Sequence, residues 1–381
     1  MIQLLSMLSA QSYRHVVKPL LFRSNPDAVH ARLLSMSAVR QRLSFTDSFV
    51  SGLWAYQNST ALSQTIDKIV FQNPVGLSAG FDKNIELVPT MKSIGFGFMT
   101  GGSVTYYPCE GNPRPWFYRL PKQRSLVVHV GLANEGTQRV IDRLRIHSEE
   151  VFNQFPLVVS VAKTNNSASC DDAQAISDYI GSLKLLQYEP MVSAIELNIS
   201  CPNTYGGEPF TDPRRLEMLL QMVDVIKLSQ PLWLKMPVNM PWQDFSALLE
   251  VIVKHNVQGV TIGNLSKNRG EIPSEELPNE VKGNLSGMPT RDLSDELIKK
   301  TYAAYGKQLT IIGVGGIFCA EDAYRKIKNG ASLVGLITGM IFEGPQLIGQ
   351  INKDLVDLLK KDGFVNISQA VGAAHRTNSQ R

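Results

Sequence analysis

Much is scarce or missing in this sequence of 381 residues. It holds four cysteines, Cys109, Cys170, Cys201 and Cys319, far apart and without CxxC spacing. That pattern argues against a zinc site or a disulfide scaffold and suits a reducing compartment. Charged residues make up only 19% and the net charge is a mild +4, with the basic residues scattered, so no footprint for nucleic acid is present. No apolar run reaches the length needed to span a bilayer, and no small-residue cleavage pattern follows a long apolar core near the N-terminus. Neither a transmembrane helix nor a secretory signal is therefore expected. With 43% hydrophobic residues, disorder and a fibrous class are also set aside. The length suits two average domains, or one closed α/β barrel of larger than usual size.

The most informative stretch is Ala194 to Thr204, AIELNISCPNT, where a short apolar strand runs into a polar loop. Pro202 disfavours helical geometry at the residue before it, so Cys201 is expected on a loop at a strand's carboxyl end. Asn198 and Asn203 flank it with carboxamides that both donate and accept. Such a thiol is either a proton acceptor beside a planar, amide-rich ligand or a buried structural cysteine in an Asn-Pro-Asn turn.

Residues 1–45 read as a helical pair. Val17, Leu20 and Leu21 share one face, Val29, Leu33 and Met36 another, and Ser24-Asn25-Pro26-Asp27 makes the turn. Arg14, Lys18 and Arg23 border the first face, the pattern of a segment lying in a membrane interface, where each basic residue adds roughly 1 kcal/mol. A helical cap on the protein's own core is the other reading. Residues 46–64 are expected to be a linker, and 65–381 the main domain.

From Thr65 onward strands alternate with helices. Strands are expected at Pro74 to Ser78, Phe98 to Val104, Leu157 to Val161, Ala194 to Leu197, Leu232 to Met236, Gly259 to Gly263, Thr310 to Val314 and Leu333 to Ile337. Eight such βα units predict a (β/α)8 TIM barrel rather than a doubly wound open sheet. Polar and small residues track the strand ends, where a barrel keeps its chemistry: Lys83, Ser103, Thr105, Ser160, Lys163, Asn198 through Asn203, Lys235, Asn264, Gly315-Gly316 and Thr338-Gly339. The glycines after strands seven and eight, two such sites on adjacent strands, predict a phosphate cradle rather than mere tight strand-to-helix turns. Lys235 needs either an anionic or electron-accepting partner, such as a flavin ring, or an internal salt bridge. Gly206-Gly207 reads as a hinge for a lid over Cys201, or as an ordinary turn.

Four motifs in order, Asn73 to Lys83 (NPVGLSAGFDK), Asn198 to Thr204, Ile312 to Ile317 (IGVGGI) and Ile337 to Pro345 (ITGMIFEGP), make the chain resemble the dihydroorotate dehydrogenases. The resemblance runs from about Tyr13 to Arg376 and is nearest to the quinone-dependent, membrane-associated class. It implies an FMN enzyme of pyrimidine biosynthesis that oxidises dihydroorotate to orotate and passes electrons to a membrane quinone. It further implies peripheral contact with the cytoplasmic side of the cell inner membrane. In this reading Cys201 is the base, and Lys83, Asn134, Asn198, Asn203 and Asn264 hold the substrate. Ala79, Gly80, Ser103, Ser160, Lys235, Gly287, Gly315, Gly316, Thr338 and Gly339 hold FMN. His30 and Arg119 belong to the quinone tunnel, and no metal is implied. A thiol, with a reference pKa about 8.5, is expected to need only modest help to act near neutrality.

The chain departs from the family pattern at five positions. Cys201 stands where the quinone-dependent class has Ser, Val128, Ala133 and Ser160 where Asn is usual, and Leu265 where Thr is usual. His129 is placed either to replace a lost contact or to serve as a satisfied loop histidine. The departures keep two alternatives open: a flavin enzyme of this fold acting on another cyclic amide or enoate, and a flavin-binding barrel without turnover, against which the retention of Lys83 and Cys201 speaks.

Overall fold

The computed structural model describes residues 2–40, 45–56, 60–168, 171–270 and 272–376. Cys170 lies outside them. The eight expected strands are present within a residue or two of their expected ends: β1 (Val75–Leu77), β2 (Phe98–Val104), β3 (Leu157–Val161), β4 (Ala194–Asn198), β5 (Leu232–Met236), β6 (Gly259–Ile262), β7 (Thr310–Val314) and β8 (Leu333–Leu336). All pair in parallel, and β8 closes on β1. Nearly every strand residue is buried, because the barrel interior covers one face and the helical ring the other. Lys235 of β5 pairs with Asn198 of β4 on one side and Thr261 of β6 on the other, which sets three polar side chains at one level near the carboxyl ends.

The amino end of the barrel is plugged. A hairpin of Gln64–Ile66 and Ile69–Phe71 turns through Asp67 and Lys68, both with positive φ, as a tight two-residue hairpin requires. Phe71 meets Phe98 edge to face at 5.5 Å, and the Trp233 Nε1 donates to Asp67 at 2.9 Å.

The N-terminal pair consists of α1 (Ile2–Ser12), a π turn (Tyr13–Val17), α2 (Lys18–Arg23) and α3 (Pro26–Arg40). Asn25 caps α3 by accepting from the Ala28 amide at 3.1 Å. The apolar faces are only partly covered: Leu20 is 58% exposed and Met36 68%, with Val16 and Leu33 also exposed, while Leu34 packs against the main core and Phe22 meets Phe342 edge to face at 5.3 Å. Among the described residues no helix is long and apolar enough to cross a membrane.

Part of the expected linker is a helix, α4 (Phe45–Trp54). Its Val50 and Trp54 pack against the main core, while Ser48 is exposed on the outer face. The ring continues with α5 (Val88–Ile94), α6 (Thr137–Leu144), α7 (Asp172–Leu186), α8 (Pro213–Asp224), α9 (Trp242–Ile252), α10 (Arg291–Tyr305), α11 (Ala320–Asn329), α12 (Thr338–Glu343) and α13 (Leu347–Lys361). Just before α5 begins at Val88, the buried Asp82 carboxylate takes the amides of Glu86 and Leu87.

A small antiparallel sheet, unforeseen in the sequence, lies at the barrel mouth. It joins Phe117–Leu120, Ser125–Val128 and Asn284–Leu285. Asp27 of α3 accepts from the amides of Trp116 and Phe117 at 3.0 and 3.1 Å, so the helical pair is hydrogen-bonded to this sheet.

Candidate active site

The strand ends, the mouth sheet and α3 enclose one cavity that runs from the barrel floor to the helical pair. Glycines shape one end. Gly315 and Gly316 both have positive φ, and a Cβ on Gly315 would come 2.5 Å from the Thr290 hydroxyl, while one on Gly316 would overlap Arg291. A Cβ on Gly339 would overlap the Ile317 carbonyl. Gly287 lies against Thr338, whose hydroxyl is 2.9 Å from that of Ser286. These tight approaches leave backbone amides and small hydroxyls at the wall, the surface an anion needs.

The floor is polar. Lys235 is 5% exposed and lines the cavity, with no ion pair among the described residues. The internal salt bridge considered from sequence is therefore absent there. Asn198 donates from Nδ2 to the Ser103 hydroxyl at 2.8 Å, which is 2.8 Å from that of Ser160. A partnerless ammonium beside a glycine-walled anion cradle fits the ring and phosphate of a flavin mononucleotide.

Cys201 lies on the loop after β4, as its proline predicts, and lines the cavity with Asn198, Asn203 and Asn264. Asn264 is held by three contacts from Nδ2: the Ser200 carbonyl at 2.7 Å, the Ser200 hydroxyl at 2.8 Å and Asn198 Oδ1 at 3.4 Å. Asn203 donates from Nδ2 to the Val128 carbonyl at 2.9 Å and accepts at Oδ1 from Asn284 at 2.8 Å. Burial pushes the Cys201 thiol up to about 11, with Glu208 adding to the rise and the Asn203 amide, Lys235 and Lys163 working against it. The thiol therefore needs more than the modest help expected from its reference value to act near neutrality. The loop holding it carries consecutive positive-φ glycines, Gly206 and Gly207, and is tied down where Lys163 donates to the Tyr205 carbonyl at 2.6 Å.

Lys83 reaches the cavity from the loop after β1 and donates to the Gly80 carbonyl at 2.7 Å, with the Phe117 ring 5.6 Å away. Burial lowers its ammonium to about 8, against the pull of Asp82 and Asp27. At the helical end, His30 sits edge-on to Phe81 and Phe117 at 5.3 and 5.6 Å. Burial and Lys83 lower its pKa to about 4, so the ring is neutral near pH 7 and Nε2–H donates to the Phe81 carbonyl at 2.8 Å. Arg119 donates to the Ser24 carbonyl at 2.7 Å and lies 4.7 Å from the Phe22 ring centroid.

Ala79, Gly80, Gly287, Gly315, Gly316, Thr338 and Gly339 also line this cavity. Two expected residues do not. Asn134 is fully spent on its own loop, accepting from the amides of Thr105 and Gly136 and donating to the Thr105 hydroxyl and the Leu132 carbonyl. Ser160 is buried behind Ser103. His129 bonds Asn112 at 3.4 Å and stays outside the lining, as a satisfied loop histidine. The sequence reading missed Asn112 and Asn284, which hold Asn203 by its carbonyl and its side chain. Only the mouth sheet brings Asn284 there, so no local signal marked it.

The pattern of the dihydroorotate dehydrogenase family matches residues 61–359. A quinone-type dihydroorotate dehydrogenase from Rippkaea orientalis is 33% identical over 369 residues, covering 93% of this chain and 96% of that protein. The mitochondrial quinone-type enzyme of Mus musculus is 35% identical over 331 residues, covering 84% and 82%. The crystal structure of an Eimeria tenella dihydroorotate dehydrogenase in complex with ferulenol superposes with a TM-score of 0.80 at 24% identity, over 95% of this chain and 99% of that one, a likeness of fold.

Proposed function

Because the chain belongs to the dihydroorotate dehydrogenase family, with relatives of the quinone type along most of its length, we propose that its cavity binds FMN, oxidises dihydroorotate at Cys201 and admits a quinone past the N-terminal helices. The observation that carries this reading is the convergence of Cys201, Lys83, three asparagines, Lys235 without an ion pair among the described residues, the glycine cradle, His30 and Arg119 on one cavity.

Bound there, FMN supplies the hydride acceptor and the route by which electrons reach the quinone. Lys235 and the amides around Gly315, Gly316 and Gly339 hold it, the lysine supplying positive charge at the floor. Lys83 holds the substrate carboxylate as a buried ammonium, and Asn198, Asn203 and Asn264 hold the ring amides. Their carboxamides are fixed by internal bonds and so are oriented before the ligand arrives. Cys201 takes the proton from the carbon next to the one that loses hydride. With a thiol pushed up to about 11, its thiolate is scarce at neutral pH but strongly basic once formed. The lid that carries it excludes water while the proton moves.

His30 and Arg119 line the end of the cavity nearest the exposed apolar helices, which supports quinone entry from a bilayer there. Contact is peripheral and lies on the cytoplasmic side of the inner membrane. The test is anaerobic addition of dihydroorotate to the purified yellow protein. Rapid bleaching of the flavin band is expected. A protein that stays yellow with dihydroorotate yet bleaches with dithionite would overturn the substrate assignment.

A further inference from the structure

Glu196 lies deep in the barrel, and the reaction described above makes no use of it. It precedes Asn198 by two residues on β4, one pleat further from the cavity, and is 2% exposed. Its register partner is Trp233, which belongs to the buried cluster around the Phe71 plug, so Glu196 faces the barrel interior between that plug and the cavity floor. Oε2 accepts a hydrogen bond from the Thr261 hydroxyl at 2.6 Å, whereas Oε1 is buried without a partner among the described residues. A buried carboxyl group left partly unsatisfied is costly, and an apolar side chain would serve packing better at this position. Retaining it calls for a use.

The register supplies one. Thr261 and Asn198 flank Lys235, so a carboxylate that reaches from β4 to Thr261 on β6 crosses the inner face of β5 below Lys235. Lys235 itself has no ion pair among the described residues and lines the cavity. Two opposite charges thus share the barrel interior without touching, one at the floor and one beneath it. Fixed charges in such a low-dielectric interior act well beyond contact distance.

We propose that Glu196 tunes the flavin: held as a carboxylate beneath Lys235, it offsets part of the positive field that Lys235 presents to the cavity and lowers the potential at which a flavin bound there takes up electrons. The inference rests on the FMN reading above. Its role is electrostatic, and Glu196 touches neither substrate nor flavin.

The test is a spectroelectrochemical titration of the flavin-loaded protein and its Glu196→Gln variant, which keeps the shape and the Thr261 partner but loses the charge. Glu196→Gln is expected to raise the ratio of reduced to oxidised flavin about tenfold at a fixed ambient potential, a positive shift of ~30 mV for a two-electron couple. Glu196→Val, which needs no hydrogen-bond partner, provides the same comparison if the glutamine variant does not fold. A purely structural role would move the melting temperature and leave the potential unchanged. An unshifted or lowered potential in the variant that holds flavin overturns the proposal. A wild-type protein that binds no flavin would overturn the FMN reading, and this inference with it.

Discussion

Asn284 donates from its side-chain amide to Oδ1 of Asn203 at 2.8 Å, while the Val128 carbonyl, opposite Asn284 in the mouth sheet, accepts from Nδ2 of the same Asn203. The carboxamide is thereby clamped at both ends and cannot flip. Replacing Asn284 with Ala removes one neutral hydrogen bond, worth about 0.5–1.5 kcal/mol. Steady-state kinetics should show KM for dihydroorotate rising about 2- to 10-fold with a smaller change in kcat. A KM equal to that of wild type would mean that Asn203 is held without Asn284.

The pH profile follows from two groups. Cys201 must lose its proton to act, so the competent fraction rises tenfold per pH unit up to about 11. Lys83 must keep its proton to hold a carboxylate, so its competent fraction falls above about 8. Their product makes kcat/KM rise with pH up to about 8 and then level off. Lys83→Met is expected to have a lower kcat/KM throughout and to continue rising past the bend. Cys201→Ala should slow flavin bleaching by about 10²–10⁴-fold, measured by stopped flow.

Gly316 holds a φ of +66° with Arg291 against its α-carbon. Gly316→Ala should cost about 1–3 kcal/mol in strain and crowding. The expected result is a purified protein with substoichiometric flavin and a lower melting temperature.

Leu20 and Met36 cover no core. Changing both to Glu should therefore leave the melting curve nearly unchanged, within about 0.5 kcal/mol per site. Sedimentation with anionic lipid vesicles and reduction of a long-chain quinone should both fall, while anaerobic bleaching by dihydroorotate continues. Undiminished sedimentation would place the membrane contact elsewhere on the molecule.

The barrel was legible because its strands are buried on both faces and read as short apolar runs between turn residues. The mouth sheet was not. Phe117–Leu120 is mostly half-buried and Asn284–Leu285 is two residues long, too little for any periodicity to register. Helix α4 was hidden by its serines, although Phe49, Val50, Leu53 and Trp54 keep a helical spacing. At the site, the residue types after the strands pointed to the cavity, yet nothing local distinguished Asn203, which faces it, from Asn134, whose amide is consumed by Thr105 and Gly136. The depth of Cys201, and hence the direction of its shift, likewise depends on loops that only the closed fold brings over it. Glu196 passed unnoticed because the run around it reads as an apolar strand.

The carboxylate of Asp27 has a consequence for how such a protein can be rebuilt. Because it accepts two backbone amides of the hairpin segment that leads on to Val128, the N-terminal helices and the wall behind Asn203 form a single mechanical piece. A chimaera that exchanged residues 2–40 for a foreign helical segment would strand those amides and slacken the wall behind Asn203. Helices and hairpin are transferable only as a matched set.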